Sequence, residues 1–232
     1  MHFFFYPFIS ETLIQFEEDE SMHLKVLRAN EGDEILVING KGDVAKAIIQ
    51  SIAKRFFTAQ IILIERHIRR NTGFHLAVAP LKQMDRIEWM LEKVCELGIE
   101  QISFIETKRT ERDKLNFERL NKIVHAACKQ SKNFWFPEMP AVIERFDTFL
   151  NAHEAHTNLI AYCGGEFSGI EQKLRADSST LILIGPEGDF TDEEFNLATQ
   201  HGFKGISLGN TRLRTETAAI YATAAFKFVN AY

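Results

Sequence analysis

Long apolar runs are missing from this sequence. Stretches such as LILIG at 181–185 fall far short of the roughly 20 apolar residues that span a bilayer. Residues 1–10, MHFFFYPFIS, show no basic leader followed by a long apolar segment. The expectation is a soluble, cytoplasmic protein with no membrane role. Cysteine is also scarce: Cys95, Cys128 and Cys163 are odd in number, widely separated and unaccompanied by a CxxC. That suggests neither a disulfide framework nor a zinc site, and leaves three ordinary buried thiols as the expectation. A surplus of positive charge is absent too. With 27 Lys and Arg against 32 Asp and Glu, the net charge is −5, which argues against a protein that coats nucleic acid through many phosphate contacts.

Several motifs are absent or incomplete. His153 and His156 in HEAH stand three apart, but a catalytic zinc helix needs HExxH and a third ligand, so surface histidines and no metal are expected. No GxxxxGK occurs, which removes the P-loop. GKGDVA at 40–45 fits the relaxed GxGxxA dinucleotide fingerprint, yet it lies between two strand-like runs with no helix after it. A hairpin turn fits better, and nicotinamide chemistry loses its support.

What is present is a chain of 232 residues, 45% hydrophobic, long enough to bury a sizeable core. From Phe3 to about Arg70 the pattern is strand-like, with EILVING, VAKAIIQSI and FFTAQIILIE separated by turn-forming GKGD and KR. A small β-barrel or sandwich follows from that pattern. From His75 the rhythm changes to strands such as HLAVAP, IEQISFIE, NLIAYC and TLILIG, alternating with helical stretches such as DRIEWMLEKVCELG and FERLNKIVHAACKQS. Such alternation predicts a parallel sheet with helical crossovers. The boundary falls at RNTG, residues 70–73.

Two glycine loops stand out in the second half. LILIGPEGDFTDEEF, residues 181–195, is an apolar strand ending at Gly185, then Pro186 and Gly188, then Thr191 placed as a helix N-cap with Glu194 three residues on. GISLGNTRLRTETAAI repeats the arrangement around Gly209, and puts Arg212, Arg214 and Glu216 at the start of the last helix. One such loop is an ordinary strand-to-helix turn. Two of them, at the carboxyl ends of parallel strands, line one crevice of the kind that holds ligands in α/β sheets. Basic clusters occur at RHIRR (66–70), at KRTERDK (108–114), and at Lys25 with Arg28; a solvated face has the same appearance.

Taken in order, HLKVLRANEGDEI, KQMDRIEWMLEKVCELGI, AACKQSKNFWFP, GPEGDFTDEE and LGNTRLRTETAAI resemble the RsmE family over nearly the whole chain. These are S-adenosylmethionine-dependent enzymes of the SPOUT superfamily that methylate N3 of a uridine in 16S ribosomal RNA. The resemblance implies an α/β fold: a small N-terminal PUA-like β-barrel over residues 1–72, binding RNA, and a C-terminal SPOUT domain over 73–232. The parallel sheet of that domain carries a deep trefoil knot. A homodimer is implied as the functional unit. The sequence leaves naked RNA and the assembled small ribosomal subunit both open as substrate, and an acidic chain with scattered basic patches suits the large, shaped subunit better.

The resemblance also distributes roles. Ala161, Gly185, Glu187, Gly188, Leu208, Gly209 and Leu213 are expected at S-adenosylmethionine. Arg214 is expected to stabilise charge developing on the uracil, with Arg212 on substrate or phosphate. Glu187 or Glu216 takes the N3 proton, anchors an arginine or serves the fold. Lys25, Arg28, Lys82 and Arg86 are expected on RNA phosphates. Two positions depart from the family pattern: Asp189 stands where a second glycine is usual, and Arg212 where an aliphatic residue is usual.

Overall fold

The structure is a computed structural model that describes residues 3–9, 12–69 and 72–230. The segment RNTG includes Arg70 and Asn71, which lie outside the described residues. The chain divides into two compact units, one of Met1–Arg69 with Cys128–Phe136, the other of Arg70–Ala127 with Pro137–Tyr232. The return of 128–136 to the first unit has no signature in the sequence pattern.

The first unit contains β1 (Phe3–Phe5), β2 (Leu13–Phe16), a helix α1 (Glu18–Leu27), β3 (Glu34–Ile38), β4 (Asp43–Ile52) and β5 (Phe57–Arg66). Its sheet runs in the order β1-β3-β4-β5-β2, antiparallel except for the parallel pair β1 and β3. Laid flat, the edge strands β1 and β2 would be four strand spacings apart, roughly 19 Å. Yet the rings of Phe4 on β1 and Phe16 on β2 have centroids 5.8 Å apart, and both lie against Phe57. The sheet is therefore curled around its core. Alternation supplies that core: Ala45, Ala47 and Ile49 on β4 and Phe57 and Ala59 on β5 point inward, the alanines leaving room for the rings. Register shifts on β4 at Lys46/Ala47 and Ile49/Ser51 are the kind of irregularity that bends a strand.

Helix α1 differs from the strand-like expectation for this region. Only Ser21 and Leu24 are buried on it, so no apolar stripe marks it. Its ends are set instead by an acidic first turn, Glu18 to Glu20, and by Arg28 at φ 54° as a left-handed cap.

The second unit contains β6 (Phe74–Val78), α2 (Met84–Glu96), β7 (Gln101–Glu106), α3 (Phe117–Ser131), β8 (Ile143–Arg145) and α4 (Phe146–Ala152). It continues with β9 (Thr157–Ala161), β10 (Thr180–Ile184), α5 (Asp192–Gln200), β11 (Lys204–Ile206) and α6 (Thr215–Val229). The last residues of α3, from Cys128, are counted with the first unit. The sheet order is β11-β9-β10-β6-β7-β8, parallel throughout. β8 and α4, three and seven residues long, are too short for periodicity to reveal. Leu181 and Leu183 join Phe146, Phe149, Phe190 and Phe203 on one face. On the other face α6 packs on β6, with Phe74 stacked on Phe226 at 4.8 Å. Both faces are covered, which is why these strands read as continuous apolar runs.

Two sequence features resolve differently from expectation. Cys95 and Cys128 are buried as expected, but Cys163 is exposed. His153 is half-buried rather than a surface residue: α4 ends at Ala152, and the His153 ring stacks on Phe149 at 4.3 Å, 3.3 Å from Glu144. His156 lies beyond the helix and bonds Ser179, so the pair shares no helical face. Beside them His75 is pushed down to about 3 by burial and by the neighbouring His153.

GKGDVA is the β3–β4 turn, and its glycines have local reasons. Gly40 has φ +69° and a Cβ there would lie 2.7 Å from the Phe136 ring. Gly42 has φ +92° and a Cβ there would strike the Trp135 ring and come within 2.7 Å of the His67 carbonyl oxygen. The segment 134–136 thus needs bare backbone under it. Gly42→Ala is expected to cost about 2–4 kcal/mol through left-handed strain and overpacking, read as a lowered urea midpoint; an unchanged midpoint contradicts this packing.

Candidate active site

Three parallel strands end in one row. Ile184 of β10 pairs with Ala161 of β9, and Ala161 pairs with Ile206 of β11. The loops that follow leave the sheet at one level and enclose a cavity of about 500 Å³, within the ordinary range for a small-molecule site. Residues 161–163 and 165, 184–187 and 189, and 206–215 line it, with Ala218 of α6.

Each loop is held by its own side chains. Asp189 has φ 63°, a conformation where glycine is the unstrained choice. Its carboxylate offsets that strain locally, Oδ1 accepting from the Phe190 N–H at 2.8 Å and Oδ2 from the Cys163 N–H at 2.9 Å. A side chain is thereby accommodated at this left-handed position, and the β9 and β10 loops are tied together. The Asp189 N–H donates to Pro186 O at 2.9 Å, closing the turn. Burial pushes the Cys163 thiol up, and Asp189 adds to that, while Arg212 opposes it. Tyr162, stacked on Phe195 at 4.5 Å, donates its hydroxyl to Asp192, which pushes the phenol up to about 12.

The second glycine loop is fixed differently. Gly209 has φ +118° with nothing near its bare Cα face, and its N–H donates to Ser207 Oγ at 3.2 Å. Thr215, buried in the first turn of α6, donates Oγ1 to Gly185 O at 3.0 Å. That bond joins the two glycine loops. The capping box at α5 is present in full, Glu194 N–H to Thr191 Oγ1 and Thr191 N–H to Glu194 Oε2. Phe190 and Phe195, placed for a staple, belong to one apolar cluster.

The structure brings together most of the expected site residues. Ala161, Gly185, Glu187, Leu208, Gly209, Arg212, Leu213 and Arg214 all line the cavity. Gly188 does not; it sits under Arg109, whose Cδ would be 3.1 Å from a Cβ there. Glu216 does not line the cavity; it is 5% exposed, with Oε1 3.7 Å from Arg86 Nη1. Glu187 Oε1 accepts the Lys82 N–H at 3.2 Å. The side chains of Arg212 and Arg214 are exposed at the cavity and hold no ion pair or hydrogen bond among the described residues.

The proposed phosphate contacts are more dispersed. Lys82 Nζ is 2.8 Å from Glu111 and Arg86 faces Glu216. In the first unit Lys25 donates to Lys54 O and Arg28 is exposed. The basic run KRTERDK is only partly solvated: Arg109 donates to Gly188 O and Phe190 O, and Arg112 to Leu81 O and Lys82 O. Thr215, Asp189 and these two arginines escaped the sequence reading because their partners are backbone carbonyls and amides distant in the chain. For Asp189 the lost glycine in the pattern was the available signal. Among the described residues no cluster of His, Cys, Asp or Glu could hold a metal ion, and no helix is long and apolar enough to cross a membrane.

Known proteins share this arrangement. A family model for an RNA methyltransferase domain matches residues 69–227, and one for an RNA methyltransferase PUA domain matches residues 16–62. Ribosomal RNA small subunit methyltransferase E of Rickettsia conorii is 30% identical over 227 residues, covering 94% of this chain and 91% of its own. The crystal structure of the probable rRNA-methyltransferase of Porphyromonas gingivalis superposes with a TM-score of 0.92 at 33% identity, covering 100% of this chain and 99% of that one. Ribosomal RNA small subunit methyltransferase E of Neisseria gonorrhoeae, solved bound to S-adenosyl methionine, gives 0.89 at 26% identity, covering 99% and 98%. With a PUA-containing first unit, a parallel α/β second unit and these matches along its length, the chain belongs to the RNA methyltransferase family, in its ribosomal RNA small subunit methyltransferase E branch.

Proposed function

We propose that this chain transfers a methyl group from S-adenosylmethionine to N3 of a uridine in 16S ribosomal RNA of the small ribosomal subunit. One observation carries the function: glycine loops at three level strand ends enclose a cavity with two unpaired arginines on it, in a chain of this family. The residues fit the cofactor. The cavity has the size for it, its wall is built largely from loop residues, and the open face of Gly209 leaves room that a side chain would fill. When bound, S-adenosylmethionine supplies an electrophilic methyl carbon on a cationic sulfur.

The protein's share is placement and charge. Ala161, Gly185, Glu187, Leu208, Gly209 and Leu213 hold the cofactor, and Gly188 serves through its backbone path. Uracil N3 must lose a proton before it attacks, and negative charge then spreads onto the flanking carbonyl oxygens. Arg214, at the N-cap of α6 and on the cavity wall, stabilises that charge. Glu187 is the cavity glutamate and takes the proton, oriented by the Lys82 N–H. Glu216 instead anchors Arg86, since it is buried and is not among the residues that line the cavity.

Arg212, Lys25 and Arg28 hold RNA phosphates; Lys82 joins them by exchanging Glu111, since solvent screens their exposed ion pair. Arg86 reaches RNA only at the expense of its pair with Glu216. In this assignment residues 1–72 are the RNA-binding domain and 73–232 the catalytic one. The segment through both glycine loops threads a trefoil knot, and two copies form a cytoplasmic dimer, as SPOUT enzymes with these motifs do.

Labelled methyl from S-adenosylmethionine, presented with small subunits lacking the modification, is expected to appear as 3-methyluridine on nucleoside analysis. Label in another nucleoside contradicts the target atom, and no transfer contradicts the substrate. Arg214→Ala is expected to lower kcat about 10²–10³-fold while cofactor Kd moves less than about threefold; a large loss of cofactor affinity would place Arg214 at the cofactor instead. Lys25→Ala and Arg28→Ala are each expected to flatten the log–log salt dependence of subunit affinity by about one unit, and an unchanged slope removes that residue from the RNA surface.

A further inference from the structure

The basic run at 108–114 has no part in the chemistry above, and its position accounts for it. It forms the loop after β7, and Arg109 Nη1 lies 2.6 Å from Gly188 O and 3.2 Å from Phe190 O. Its aliphatic stem lies over Gly188, where an added Cβ would be 3.1 Å from Arg109 Cδ and 3.4 Å from Arg109 Cβ. Glycine at 188 is therefore the slot for this arginine. The segment that carries Arg109 is itself anchored, since the Lys108 N–H donates to Glu194 Oε1 at 2.7 Å and Glu194 is 5% exposed.

Within 185–189, Gly185, Pro186, Glu187 and Asp189 line the cavity and Gly188 alone does not. Arg109 thus grips the loop from behind while its other residues face the ligand space. A charge-assisted hydrogen bond to two carbonyls of one turn fixes the orientation of the peptide planes between them. Those planes set the direction of the backbone groups the cofactor meets.

We infer that Arg109 is a positioning residue for cofactor binding, holding the 185–190 loop through Gly188 O and Phe190 O; this rests on the assignment of the cavity to S-adenosylmethionine. It touches neither cofactor nor RNA. Arg109→Met removes the donors and keeps much of the stem, whereas Arg109→Lys keeps a charge and a donor.

Calorimetry with S-adenosylmethionine, beside kinetics on small subunits, tests this. Loss of the two bonds is expected to raise cofactor Kd about tenfold in Arg109→Met. At saturating cofactor, kcat and the subunit KM stay at the wild-type level, and Arg109→Lys recovers part of the affinity. Gly188→Ala pushes on the stem and is expected to weaken cofactor binding in the same direction but less than Arg109→Met, and the Gly188→Ala, Arg109→Met pair is expected to fall short of the product of the two single effects. Should Arg109→Met fail to fold, Arg109→Lys and Gly188→Ala decide the matter by the same readouts. A raised subunit KM with unchanged cofactor Kd would make Arg109 an RNA contact and overturn the inference, as would unchanged values for both. A wild-type protein that does not bind S-adenosylmethionine overturns the cofactor assignment itself, which is a separate outcome.

Discussion

Ala161, Ile184 and Ile206 stand side by side at the ends of three hydrogen-bonded parallel strands. That shared register delivers three loops to one level, and the cavity between them depends on it. Both faces of this sheet are close-packed, so a shift of one residue would exchange side chains of different shape between two filled cores, and the cavity inherits the rigidity of that packing. The Thr215 bond to Gly185 O and the Asp189 carboxylate across to the Cys163 N–H then close the loops on one another. Both are local devices that serve a geometry set by the strands.

The charge arrangement follows the same logic. This is an acidic chain, yet the carboxylates at and beside the cavity are already engaged: Asp189 and Glu194 on backbone N–H groups, Asp192 on Tyr162 and Glu187 on the Lys82 N–H. Arg212 and Arg214 are left with their charge unneutralised at the cavity. An unpaired cation has no ion pair to break before it can answer negative charge developing beside it. For a substrate carrying one phosphate per nucleotide, a few such positions give orientation without the indiscriminate affinity of a strongly basic protein.

Much of this was legible in the sequence, for identifiable reasons. The strands β6, β7, β9 and β10 and the helices α2 and α3 announce themselves by apolar runs and helical spacing, and the Thr191/Glu194 capping box by residue type alone. The pairing of the Gly185 and Gly209 loops into one cavity was also readable, since both follow strands of one parallel sheet. Helix α1 was not, because it buries only Ser21 and Leu24; nor were β8 and α4, which are too short to show a period. The roles of Arg109, Arg112 and Thr215 stayed hidden because a bond to a distant backbone carbonyl leaves no trace in composition or spacing. The separation of Glu216 from the cavity required coordinates, since helix position alone leaves its partner open.

The most direct measurement is a crystal structure with S-adenosylmethionine soaked into the protein. Density for the cofactor is expected in the cavity between the loops after β9, β10 and β11, against Gly185 and Gly209, with Arg214 left open toward the RNA side. Cofactor density elsewhere on the molecule, or an ion pair between Arg214 and the cofactor carboxylate, would contradict the assignment of that cavity and of its free arginine.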